Sequence, residues 1–69
     1  IEVMIETPQS IACLSEIAAA GAGRIAAAHF GAYDYTAALG ISAADQDMLH
    51  PACDLARGRM QVALVPLGI

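Results

Sequence analysis

Ile1-Glu2-Val3-Met4-Ile5-Glu6 alternates and carries three β-branched residues, a pattern that predicts a strand. Thr7-Pro8 then reads as a helix start, with threonine at the cap and proline at the first helical position, where an N–H is not needed. Ile11, Leu14, Ile17 and Ala18 share one face of the helix that follows, with Gln9, Ser15 and Glu16 elsewhere around it. The helix is expected to end near Gly21, with that glycine as a left-handed cap. Ile25 to Phe30 is a short apolar run between Gly23-Arg24 and Gly31. Its alanines weaken strand propensity, but its brevity, its flanking glycines and its place after a helix predict a second buried strand. Asp34 to Leu39 predicts a turn or two of helix closed by Gly40, and Ser42 to Leu49 an irregular connection. His50-Pro51 opens a last helix, with Cys53, Ala56, Met60, Ala63 and Leu64 on one face and Asp54, Arg57, Gly58 and Gln61 on the other. The order β-α-β-(short α)-α predicts an α/β fold, a parallel sheet with covering helices.

Composition sharpens this picture. Hydrophobic residues make up 58% of the 69 and charged ones 14%, against about 45–50% and about 25% in ordinary globular domains. Sixteen of the 69 residues are alanine, and the aromatics are only Phe30, Tyr33 and Tyr35. A free-standing domain of this size needs large core side chains or staples. The chain is therefore expected to be an interior slice of a larger α/β protein, residues 1–69 forming no complete independent domain. The lack of a methionine before Ile1 and the stop after Pro66-Leu67-Gly68-Ile69 read the same way. Net charge is −4, with Arg24, Arg57 and Arg59 as the only basic side chains besides histidine. Nucleic acid and anionic membrane surfaces are disfavoured as partners. No apolar run approaches the ~18–20 residues of a membrane span, and no signal peptide is evident. Cys13 and Cys53 have no second pair, which supports neither zinc spacing nor a disulfide framework. A reducing cytoplasm is the expected location, with both cysteines packed on helix faces.

Two carboxylates stand out by position. Glu6 ends the first strand and Asp34 follows the second, and in parallel α/β folds ligands bind at the carboxyl ends of strands. If Ile1, Val3 and Ile5 face the helices, then Glu2, Met4 and Glu6 face the other side. Carboxylates from neighbouring strand ends suit a hard cation such as Mg²⁺, which takes one or two of them and leaves room for water and substrate. The same residues also suit helix caps, Glu6 before Thr7-Pro8 and Asp34 on the short helix. Spacing alone leaves both readings open.

Ile5-Glu6-Thr7-Pro8 followed by Phe30-Gly31-Ala32-Tyr33-Asp34-Tyr35-Thr36-Ala37-Ala38-Leu39-Gly40 resembles the HpcH/HpaI aldolase and citrate lyase β-subunit family, closest to a citrate-lyase-like branch. His50-Pro51-Ala52-Cys53-Asp54 and Met60-Gln61-Val62-Ala63 extend the resemblance over nearly the whole chain. Classical members carry Gly-Ala-Glu-Asp-Leu or Gly-Pro-x-Asp-Leu where this chain has Gly31-Ala32-Tyr33-Asp34-Tyr35; the aspartate keeps its place and its neighbours are aromatic. The resemblance implies a βαβα piece of a (β/α)₈ TIM barrel of the phosphoenolpyruvate/pyruvate-binding type. It implies Glu6 and Asp34 as ligands of Mg²⁺, with backbone N–H groups around Gly31 and Ala32 binding the substrate carboxylate. The implied activity is Mg²⁺-dependent carbon–carbon lysis of a 2-oxo acid such as pyruvate or oxaloacetate, or of its CoA thioester adduct, in a homo-oligomer. The arginine and any base that the family uses would come from other strands, so no catalytic residue is assigned and the 69 residues alone are expected to be inactive.

Other readings compete. Gly21-Ala22-Gly23-Arg24-Ile25-Ala26 matches the G-x-G-x-x-A dinucleotide fingerprint, with Asp45 downstream as a ribose contact. That fingerprint must follow a strand and open a helix, whereas here a helix precedes it. An alanine-rich packing module without chemistry is the third reading. Among single residues, His29 is expected to be a satisfied buried histidine rather than a base, and His50 a helix cap. Asp45-Gln46-Asp47 is expected to be a solvated loop, and Asp54 with Arg57 an ordinary surface pair. Tyr33 and Tyr35 suit either the pocket or the core.

Overall fold

A computed structural model describes residues 1–21 and 23–69. The elements are β1 (Glu2–Ile5), α1 (Pro8–Ala12), α2 (Leu14–Ala20), β2 (Ala27–Phe30), α3 (Ala32–Ala38) and α4 (Pro51–Leu64), with 3-10 turns at Ala43–Asp45 and Val65–Leu67. β1 and β2 pair in parallel, Glu2 opposite Ala27 and Ile5 opposite Phe30. The expected α/β alternation is present, as a two-stranded sheet with helices.

The helix starts follow their residues. Thr7 caps α1 in a capping box: its side chain accepts from the Ser10 N–H, and the Ser10 hydroxyl accepts from the Thr7 N–H. Pro8 and Pro51 occupy first-turn positions, and the His50 ring accepts the Ala52 N–H through Nδ1 at 3.1 Å. The predicted first helix is broken at Cys13, whose N–H is shared between the Gln9 and Ser10 carbonyls. Gly21 does not form the left-handed cap: its φ is −71°, and the positive φ of 79° falls at Gly23. Gly40 closes the segment after α3 with φ of 80°.

Strand parity sets the layers. Ile5 is 1% exposed and joins Ile11, Leu14, Tyr35, Ala56, Met60 and Leu64 in the core, with Val3, Ala28 and Phe30 packed against them. Burying an isoleucine or leucine of this kind contributes about 1.5–3 kcal/mol. The opposite sheet face is bare: Met4 is 55% exposed, and Glu2 and His29 lie beside it. On α4 the faces divide much as the spacing predicts, with Cys53, Ala56, Met60 and Leu64 buried and Ala63 partly so. Cys13, in contrast, is exposed rather than packed, because the break between α1 and α2 turns it outward.

Candidate metal centre

Glu6 lies one residue past β1, so the strand alternation carries it to the bare side of the sheet. Its neighbour Thr7, not Glu6 itself, caps α1. Asp34 is the third residue of α3, in its first turn, where the helix dipole favours a carboxylate. The cap of α3 is Gly31, and no side chain bonds there. Neither acid is therefore used as a helix cap.

The fold brings the two together at the carboxyl ends of both strands. Interaction with the Asp34 carboxyl, first as a hydrogen-bond partner and then, after desolvation, as a like charge, raises the Glu6 pKa above its ordinary 4.5. Two carboxylates this close favour sharing a proton or a cation over standing side by side as bare anions. Among the described residues no group of three or more His, Cys, Asp or Glu converges. A pair of carboxylates suits Mg²⁺, which keeps several waters, better than structural zinc, which takes four protein ligands.

The neighbours are now placed. Gly31 touches Glu6: a Cβ built on it would stand 2.9 Å from Glu6 Oε2. Its N–H donates to the Ile5 carbonyl at 2.9 Å, so that of the backbone N–H groups expected around Gly31 and Ala32 this one is engaged within the sheet edge. The Ala32 N–H opens α3, where helix geometry provides no carbonyl for it. Tyr35 packs in the core against Phe30, ring centroids 5.2 Å apart, while Tyr33 points outward, 61% exposed. His29 is not buried. Its Nε2 lies 2.6 Å from Glu2 Oε1 on the open face, with 56% of the side chain exposed, turned toward the amino end of β1 and away from Glu6. Parity puts Glu2 on that face, but the pairing depends on strand register, which spacing does not give.

The remaining candidates are local. Asp45 accepts from the Ser42 hydroxyl, and Asp47 from the Leu49 N–H, as expected of a solvated loop. Gly21 and Gly23 follow α2 and precede β2, the reverse of the dinucleotide arrangement, and Ala22 of that motif lies outside the described residues. No helix among the described residues is long and apolar enough to cross a membrane.

The family model described as domain of unknown function (DUF6986) matches residues 1–69. The chain belongs to the DUF6986 family. No curated protein and no solved structure matches it. Membership in DUF6986 carries no reaction with it, so the chemistry of this family member is argued from Glu6 and Asp34.

Proposed function

We propose that Glu6 and Asp34 hold Mg²⁺ in a carbon–carbon lyase of the HpcH/HpaI aldolase and citrate lyase type, acting on a 2-oxo acid such as pyruvate or oxaloacetate or on its CoA thioester adduct. The observation that carries this reading is the approach of two carboxylates, free of capping duties, at the carboxyl ends of parallel strands. The donor set fits: two anions offset the charge of a divalent ion and leave its other positions open. When bound, Mg²⁺ supplies a Lewis acid for the carboxylate and keto oxygens of the substrate. Glu6 reaches the ion from the strand end, and Asp34 from the first turn of α3, a rigid placement on two different elements. Ala32 offers its N–H beside them to a substrate carboxylate.

In this proposal the two strands belong to a (β/α)₈ barrel, with Glu2, Met4 and His29 facing its interior. Exposed Leu55 and Val62 on α4, beside a groove of about 590 Å³ against α1 and α2, supply apolar surface for neighbouring elements or subunits of a homo-oligomer. The free thiols of Cys13 and Cys53 suit a reducing cytoplasm. The 69 residues alone lack the rest of the site and are inactive.

The test is oxo-acid cleavage by the full-length protein with and without Mg²⁺. Glu6→Gln and Asp34→Asn each abolish Mg²⁺-dependent cleavage while the circular dichroism spectrum is unchanged. Full activity in either variant at ordinary Mg²⁺ concentration contradicts the lyase. Unchanged activity in the double variant supports a packing module instead.

A further inference from the structure

We infer that Gly31 is a positioning residue for the carboxylate pair: its missing side chain makes the room in which Glu6 lies over the start of α3, beside Asp34. The inference rests on the cation site proposed above and names what holds that site in shape.

Backbone conformation does not require glycine here. Gly31 has φ −96° and ψ 88°, on the negative side that any L-residue adopts. Gly23, Gly40 and Gly68 differ, with φ of 79–80° and open space around them. At Gly31 the constraint is space. A Cβ built there would lie 2.8 Å from Glu6 Cβ, 2.9 Å from Glu6 Oε2 and 3.4 Å from Met4 Cε, against about 3.5–4.0 Å for optimal carbon contacts.

These contacts are not equivalent. Met4 Cε at 3.4 Å is an ordinary contact, and Glu6 Oε2 ends a flexible side chain and can swing aside. Glu6 Cβ cannot, because it follows directly on Ile5, whose carbonyl accepts the Gly31 N–H at 2.9 Å and ties the two backbones together. A methyl group at position 31 therefore displaces the Glu6 carboxylate or opens the Gly31–Ile5 hydrogen bond. Either movement separates Glu6 from Asp34, since α3 begins at Ala32 and carries Asp34 with it.

The experiment is calorimetric titration of the full-length protein with Mg²⁺ alone, beside urea unfolding. Gly31→Ala weakens Mg²⁺ binding at least tenfold. Gly58→Ala, in α4 with nothing within 4 Å of its added Cβ, leaves the affinity unchanged and raises the unfolding midpoint, because alanine favours helix. In the double variant Gly58→Ala restores stability but not affinity. Recovery of affinity there overturns the inference, since the loss would then come from general destabilisation. Full Mg²⁺ binding by Gly31→Ala, with binding lost in Glu6→Gln, overturns the role of Gly31 and leaves the cation site standing. Equal titration of wild type and Glu6→Gln overturns both. Where Gly31→Ala does not fold, Glu6→Gly/Gly31→Ala decides: regained folding puts the collision on the Glu6 side chain, and continued unfolding contradicts it.

Discussion

Arg57→Ala removes three contacts of unequal worth, and the structure ranks them. Arg57 Nη2 lies 2.6 Å from Asp54 Oδ1 one helical turn away, with the side chains 38% and 71% exposed. Such an exposed pair contributes a few tenths of a kcal/mol. Arg57 Nη1 donates to the Met48 carbonyl at 2.8 Å, tying α4 to the preceding loop. A charged donor on a partly solvated carbonyl contributes about 1 kcal/mol. The guanidinium also sits 5.9 Å from the centroid of the Phe30 ring, a cation–π contact of about 0.5–1 kcal/mol. Together these make Arg57→Ala cost about 2 kcal/mol, while Asp54→Asn costs under about 1 kcal/mol, because it loses only the weakest of the three and a carboxylate in the first turn of α4. Arg57→Lys falls between them, keeping the charge but losing the fork that serves Met48 and Asp54 at once. Urea unfolding of the three variants, compared at equal m-values, measures the order. If Asp54→Asn costs as much as Arg57→Ala, the ion pair dominates and this ranking is wrong.

Two further outcomes follow from the titrating groups. The hydrogen bond to Asp34 makes the folded state hold the Glu6 proton more tightly than the unfolded chain does. Stability from that proton is complete below the ordinary value of 4.5 and is lost as pH rises through the higher folded value. Without Mg²⁺ the urea midpoint therefore falls across that window, and Glu6→Gln flattens the fall; an identical slope in wild type and variant contradicts the shared proton. Cys53 is fully buried, and burial, then the nearby Asp47 and Asp54 against an opposing Arg57, raises its thiol pKa, whereas Cys13 is exposed. Peptide mass mapping after thiol labelling finds Cys13 modified in the folded protein and Cys53 only after unfolding; early labelling of Cys53 contradicts the packing of α4.

The parts of this fold that are legible in the sequence are those fixed by local chemistry. Thr7-Pro8 and His50-Pro51 mark helix starts because proline sets φ and supplies no N–H, and the residue before each accepts from the first turn. The alternation in β1 separates the core side, Val3 and Ile5, from the side that bears Glu6. The break at Cys13 is silent, because the spacing of Ile11, Leu14 and Ile17 runs across it unchanged. The left-handed residue lies at Gly23 rather than Gly21 because two glycines in one turn give the backbone a choice that composition does not settle. His29 escapes burial because the alternation in β2 sets it beside Met4 on the bare face, opposite to the side of Ala28 and Phe30, and its pairing with Glu2 is then selected by strand register. Within the site, the two acids are visible as strand-end carboxylates, but the dependence on Gly31 is not. A glycine needed for space and one needed for φ look alike in a sequence.

The most direct test is a crystal structure of the full-length protein grown with saturating Mg²⁺. The account predicts one ion with an oxygen of Glu6 and an oxygen of Asp34 each at about 2.0–2.1 Å, and water in the remaining positions. An ion bound elsewhere, with these two carboxyl groups still joined only to each other, contradicts it.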